Sequence, residues 1–188
     1  MLDTQAPRSA RRAVVPTGEE RSFGTDELIV SKTDTRGVIT YANDVFLRVS
    51  GYAMEQVLGQ PHNLIRHPDM PKAVFALLWD TLAERQELFA YVNNLAADGA
   101  NYWVLAHITP SYGPDGSVVG YHSSRRRPSP AAVAQVAPLY DRLLAEERRH
   151  PNGKAAVAAS TALLNELIAA QAESYEAFIW SVIGREEI

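Results

Sequence analysis

The sequence predicts an α+β domain: an antiparallel sheet with short helices on one face, followed by a C-terminal helical hairpin. Three observations carry this. Short runs rich in β-branched and aromatic residues occur in hairpin pairs around turn residues. The helical signals cluster between the first strand pair and the last strands, which disfavours alternating parallel βαβ units. Beyond Arg127 the apolar spacing becomes helical and stays so to Ile183.

Each element has its own signal. Leu28-Ile29-Val30-Ser31 and Val38-Ile39-Thr40-Tyr41 flank the turn Asp34-Thr35-Arg36-Gly37 and form the first hairpin. Asn43-Asp44 offers a cap for a helix over Val45–Val49, which Gly51 stops. Glu55 to Leu58 is a single turn ended by Gly59. Pro71 suits a helix's first turn, and Val74, Phe75, Leu78, Trp79 and Leu82 then recur on one face. Phe89–Leu95, Tyr102–Thr109 and Val118–Ser123 are strands, separated by Asp98-Gly99 and Pro114-Asp115-Gly116. Ser129-Pro130 starts a helix whose apolar residues are Val133, Val136, Tyr140 and Leu143. His150-Pro151-Asn152-Gly153 breaks it, and a second helix is expected from Lys154 to Ile183, with Gly184 as its stop. Leu164, Ile168, Gln171, Tyr175, Phe178 and Val182 form a heptad-like seam along it. Such a hairpin must bury its apolar faces against the domain or a second copy. The chain thus divides into a flexible tail (1–25), an α+β domain (26–127) and a helical hairpin (128–188).

Composition narrows the function. The 188 residues are 46% hydrophobic and 21% charged, enough for a core without metal or disulfide. With no cysteine, thiol catalysis, Cys-ligated zinc, iron–sulfur clusters and thiol adducts to a flavin are excluded. A net charge of −4 gives no electrostatic case for nucleic acid. No apolar run is long enough to span a membrane, and no secretory signal is visible, so a cytoplasmic protein without membrane insertion is expected. No nucleophile elbow, Gly-rich phosphate loop or helically spaced carboxylate pair is present, and an enzyme is not expected.

The densest polar stretch runs from Gly59 to Pro71. Its three prolines stiffen a loop that carries Arg66, His67 and Asp69. A guanidinium gives paired hydrogen bonds to phosphate or carbonyl oxygens. An imidazole donates, stacks or titrates. Asp69 can hold Arg66 or cap the next helix, His62 can be an ordinary loop residue, and His67 can be a structural hydrogen-bonder. His62 and His67 match no metal pattern. Trp79 and Trp103 are candidate ligand contacts as well as candidate core. Asn43 and Asn94, near strand ends, serve turns or pair with the edge of a heterocycle.

The segments Thr35–Phe46, Ser50-Gly51-Tyr52 and Gly59–Pro71, with Asp98-Gly99, Tyr102-Trp103-Val104 and Gly120-Tyr121, resemble a PAS domain. The string Pro61-His62-Asn63…Arg66-His67-Pro68-Asp69-Met70-Pro71 resembles the aerotaxis-receptor type, whose PAS domains bind FAD non-covalently and report its redox state to a chemotaxis signalling domain. The resemblance covers about half the chain. It implies a PAS fold with a five-stranded sheet and assigns cofactor binding to Arg66, His67, Asp69, Trp79, Asn43 and Asn94; Trp103 joins them as a candidate from the residue reading alone. FAD is the expected cofactor, with FMN or haem as alternatives. A metabolite sensor or a ligand-free interaction module is the alternative function. Leu95-Ala96 depart from the family's basic residues there, which weakens contacts to dinucleotide phosphates. The membrane anchor and methyl-accepting rod of such receptors are not in this sequence, so the expectation is a soluble redox or oxygen sensor. It would signal as a homodimer, paired through the Leu164–Val182 seam, or through a chemotaxis or other signalling protein.

Overall fold

The computed structural model describes residues 14–184. Five strands form one antiparallel sheet: β1 (Ile29–Thr33), β2 (Ile39–Ala42), β3 (Leu88–Leu95), β4 (Asn101–Tyr112) and β5 (Val118–Arg126), in spatial order β2-β1-β5-β4-β3. Between β2 and β3 lie α1 (Asp44–Ser50), α2 (Met54–Val57), a 3-10 turn over His62–Ile65 and α3 (Lys72–Ala83). Three helices follow β5: α4 (Pro130–Arg148), α5 (Gly153–Ala169) and α6 (Tyr175–Ile183).

Alternation along β3 and β4 separates the faces of the sheet. Asn94, Val92 and Ala90 pair across from Tyr102, Val104 and Ala106 on the inner face, where α1, α2 and the 3-10 turn add Phe46, Val49, Val57 and Ile65 to the core. Asn93, Tyr91 and Phe89 pair across from Trp103, Leu105 and His107 on the outer face. That face is covered by the chain's own C-terminal helices. Tyr140 of α4 stacks on Trp103 and donates its hydroxyl to the carbonyl of Tyr91 at 2.7 Å, and Trp180 of α6 leans on Phe89. The short helices thus sit on one face as expected, and the helical hairpin of α4 and α5 has docked on the domain itself.

Two expectations change. The helix expected over 154–183 is two helices, α5 and α6, with Ser174 capping the second through a bond from the Ala177 N–H. A straight helix of that length would run about 45 Å and carry its far half past the domain. Breaking at 170–174 lets Leu164, Ile168, Phe178 and Val182 all join one core with Val136, Leu143 and Ala73. The apolar seam is therefore consumed inside the protomer. The tail also differs. Residues 1–13 lie outside the described residues, but residues 14–25 are docked rather than loose. The amides of Thr17 and Arg21 donate to Gly99 and Asn101, Arg21 is ion-paired with Asp98, and Phe23 is buried. Gly99, at φ +93°, leaves room for the Val15 carbonyl, which any Cβ would strike.

One buried carboxylate ties α4 to the inner elements. Glu147 Oε1 accepts from the backbone N–H of Lys72 at 2.6 Å and of Ala73 at 3.2 Å, and from the Ser160 hydroxyl at 3.0 Å. Pro71 in the cap position offers no side-chain bond, so Glu147 supplies from a distance of 75 residues what a local cap would.

Because Phe178 is 6% exposed and intramolecular, Phe178→Ala should lower stability by about 3 kcal/mol or more, read by urea unfolding. The mass in solution should not change; dissociation without destabilisation would restore the seam as an interface.

Candidate functional site

A cleft of about 200 Å³ opens between the inner face of the sheet, the Pro61–Arg66 loop and α3. The loop is held in place by its backbone. The Ile39 N–H donates to Gln60, the His62 N–H donates to Gly37 at 2.8 Å, and a bridge pairs Arg66 with Asn94. The cleft is walled by Phe75, Leu78 and Leu82 from α3 and by Val92, Ala106 and Ile108 from the sheet. Trp79, 41% exposed, stands at the rim edge-on to Tyr121, 5.7 Å between ring centres.

The polar groups at this cleft are cationic or neutral. Arg125 is 5% exposed. Its guanidinium donates to the Ser31 hydroxyl at 3.1 Å and to His62 Nε2 at 2.7 Å. Burial lowers its pKa to about 10. A nitrogen that accepts from a guanidinium carries no proton, so His62 is the Nδ1–H tautomer. Burial, and then the positive charge of Arg125, push the His62 pKa well below its usual 6.5. Arg66 lies over the Phe75 ring, 3.4 Å from its centre, and burial lowers its pKa too. Three buried polar atoms of cleft residues have no partner: Arg66 Nε, Asn94 Nδ2 and Ser123 Oγ. Donors buried without an acceptor cost free energy, so these three side chains would each gain by turning toward an acceptor brought into the cleft.

The residues expected from sequence divide accordingly. Arg66, Trp79 and Asn94 line the cleft. Asn43 does not. Its Oδ1 accepts from Phe46 and Val30 and its Nδ2 donates to Leu28, so its amide is spent capping α1 and joining it to β1. His67 is buried beside the loop, outside the cleft lining, with Nδ1 accepting from the Asp69 N–H at 3.1 Å. Its pKa is lowered by burial against an opposing pull from Asp69. Asp69 neither caps α3 nor holds Arg66; it points out of the domain to Arg148 at 3.3 Å. Trp103 is on the opposite face of the sheet, under Tyr140, because it falls on the odd register of β4. Leu95 and Ala96 are buried in the core and do not line the cleft.

Sequence reading missed Arg125, Ser123 and Ser31, and treated His62 as a loop residue. The available signal was alternation. Tyr121, Ser123 and Arg125 share one face of β5, so Arg125 had to meet the same side of the sheet as Ser123.

The comparisons with known proteins agree with this architecture. The model of the PAS fold matches residues 39–125. Residues 39–125 are a PAS domain. The chain is 42% identical to the aerotaxis receptor of Escherichia coli (strain K12) over 127 residues, which is 68% of this chain and 25% of that protein. It is 33% identical to a nitrogen fixation regulatory protein of Klebsiella pneumoniae, over 67% of this chain and 26% of that one. The chain thus spans about a quarter of these relatives. The PAS domain is of the aerotaxis-receptor type. Its fold is also that of the light-state blue-light photoreceptor Aureochrome1 LOV, with a TM-score of 0.53 at 22% identity over 58% of this chain and 88% of that one. Among the described residues no helix is long and apolar enough to cross a membrane.

The histidine at the cleft predicts a pH dependence. The folded chain keeps His62 neutral, whereas the unfolded chain protonates it below about pH 6.5. Its stabilising effect is complete above that pH and is lost as pH falls through it. Urea unfolding between about pH 5 and 7.5 should show stability falling on acidification. His62→Gln should reduce that slope by up to about 1.4 kcal/mol per pH unit. An unchanged slope would mean that His62 titrates normally; His67 and His122, both lowered by burial, supply the remainder.

Proposed function

We propose that this PAS domain is a sensor that holds FAD non-covalently in the cleft and passes its redox state to a signalling partner as a conformational change, without catalysing a reaction. The observation that carries the reading is the set of three unpartnered buried atoms, Arg66 Nε, Asn94 Nδ2 and Ser123 Oγ, on residues that line a cleft with both apolar and cationic walls. A flavin has the matching chemistry: a flat ring with apolar faces and an edge of carbonyl and ring-nitrogen acceptors. Phe75, Leu78, Leu82 and Trp79 suit the faces, and Asn94, Ser123 and Arg66 suit the acceptor edge. The resemblance of the Pro61–Pro71 string to aerotaxis receptors, and the 42% identity to one of them, favour FAD over FMN.

When bound, the flavin would supply an electron-accepting ring whose charge and hydrogen bonding change on reduction. The chain's own part is to bind that ring and keep bulk water from its buried edge. Asn94 is suited to follow the change, because an amide can turn either its oxygen or its nitrogen to a partner. It lies on β3 and is bridged to Arg66, so a re-paired Asn94 acts on both the sheet and the loop. Haem ligation has less support: His62 Nε2 already accepts from Arg125, and His67 lies outside the cleft lining. A cytoplasmic setting and a chemotaxis or related signalling protein as partner complete the reading.

The purified full chain should show flavin absorbance that bleaches with dithionite, and acid should release FAD on chromatography. A haem band, or colourless protein that takes up no added FAD, would overturn the reading. Arg66→Ala should cut flavin content at least about tenfold, the loss of one charge-assisted interaction of about 1.5–3 kcal/mol. Full retention would leave Arg66 a packing role on Phe75.

A further inference from the structure

Helix α3 is shared between the cleft and the C-terminal helices. Phe75, Leu78, Trp79 and Leu82 line the cleft, whereas Ala73 and Val74 pack in the cluster that holds Val136, Leu143, Leu164 and Phe178. Its first turn begins six residues after Arg66 and is capped by the α4 carboxylate of Glu147, which Ser160 of α5 also bonds. The neighbouring Arg148 reaches Asp69, at the end of the Arg66 loop. The same helix α4 grips the other wall of the cleft, where the Tyr140 hydroxyl holds the carbonyl of Tyr91 on β3, three residues before Asn94. Both cleft walls that carry candidate ligand groups are therefore fastened to the C-terminal helices through buried polar bonds.

We propose that Glu147 is a positioning residue that couples the cleft to the C-terminal helices, so that cofactor binding and the docking of α4 and α5 strengthen each other. It extends the sensor reading by naming the output element and the contact that drives it. A buried carboxylate is costly unless its bonds are complete. A shift of the first turn of α3 of a few tenths of an ångström lengthens two of its three bonds at once. The docked and loosened states thus differ in how well Glu147 is satisfied, and the position of α3 decides between them. Linkage makes this reciprocal: if a bound ligand tightens the helices, loosening the helices weakens the ligand.

The test is amide hydrogen exchange of the full chain, with and without added FAD. The amides of α5 should exchange about tenfold more slowly in the loaded protein. Glu147→Ala should abolish that difference and raise the FAD dissociation constant about tenfold; Glu147→Gln, which keeps an acceptor oxygen, should restore most of both. Faster exchange everywhere, with FAD affinity and the FAD-dependent difference both retained, would make Glu147 merely structural and overturn the coupling. Should Glu147→Ala not fold, Ser160→Ala, which removes one of the three bonds to Glu147, carries the same comparison at smaller amplitude. If the wild-type chain takes up no FAD, the sensor reading fails by itself. The coupling is then decided by Arg66→Ala, which must change α5 exchange; unchanged α5 exchange in that variant overturns it.

Discussion

The guanidinium of Arg125 is 5% exposed, and its partners, the Ser31 hydroxyl and the His62 ring, are both neutral. Much of the architecture around the cleft follows from accommodating it. A buried cation needs acceptors, and here they come from β1 and from the Pro61–Arg66 loop, two elements far apart in the chain. Accepting that bond fixes the tautomer of His62 and keeps it uncharged. The loop is thereby drawn onto the sheet beside Asn94, and its next charged residue, Arg66, stacks on Phe75 of α3. The cleft is thus positive, stiff on the loop side and apolar on the helix side. Such a site suits a flat ligand with electron-rich acceptors on one edge.

A second buried ion sits at the other end of the same helix–loop unit. Glu147 is 7% exposed, and its bonds run to two backbone amides and a hydroxyl. Arg125 and Glu147 do not pair with one another; each is satisfied separately, one at the cleft and one at the junction with the C-terminal helices. Between them lie the 3-10 turn, the proline-rich loop and the start of α3, a segment that can move little without disturbing one ion or the other.

The outer face of the sheet shows how the rest of the chain was recruited. Trp103, Tyr91 and Phe89 form an apolar surface that a lone domain would leave wet. The helices after β5 cover it with Tyr140 and Trp180, and the break between α5 and α6 lets the last helix turn back onto the same core. The stacking of Phe89 on His107, 4.1 Å between ring centres, continues that surface.

Local sequence signals were enough to set the elements and to single out much of the loop at the cleft. Turn residues and alternation placed all five strands, and Asn43, Ser129 and Gly51 marked helix ends where the chain uses them. The proline-rich string marked the loop, and Arg66, Trp79 and Asn94 were legible as ligand candidates. Tertiary structure decided which face each strand residue meets, and so removed Trp103 from the site and admitted Arg125, Ser123 and Ser31. Alternation fixes that two residues share a face, but not which face is the inner one. It also decided that Asn43 and Asp69 serve the scaffold, that α3 is capped by Glu147, and that the seam along α5 and α6 is spent within the protomer. Those outcomes depend on partners 13 to 94 residues apart, and no local pattern encodes contacts at such separations.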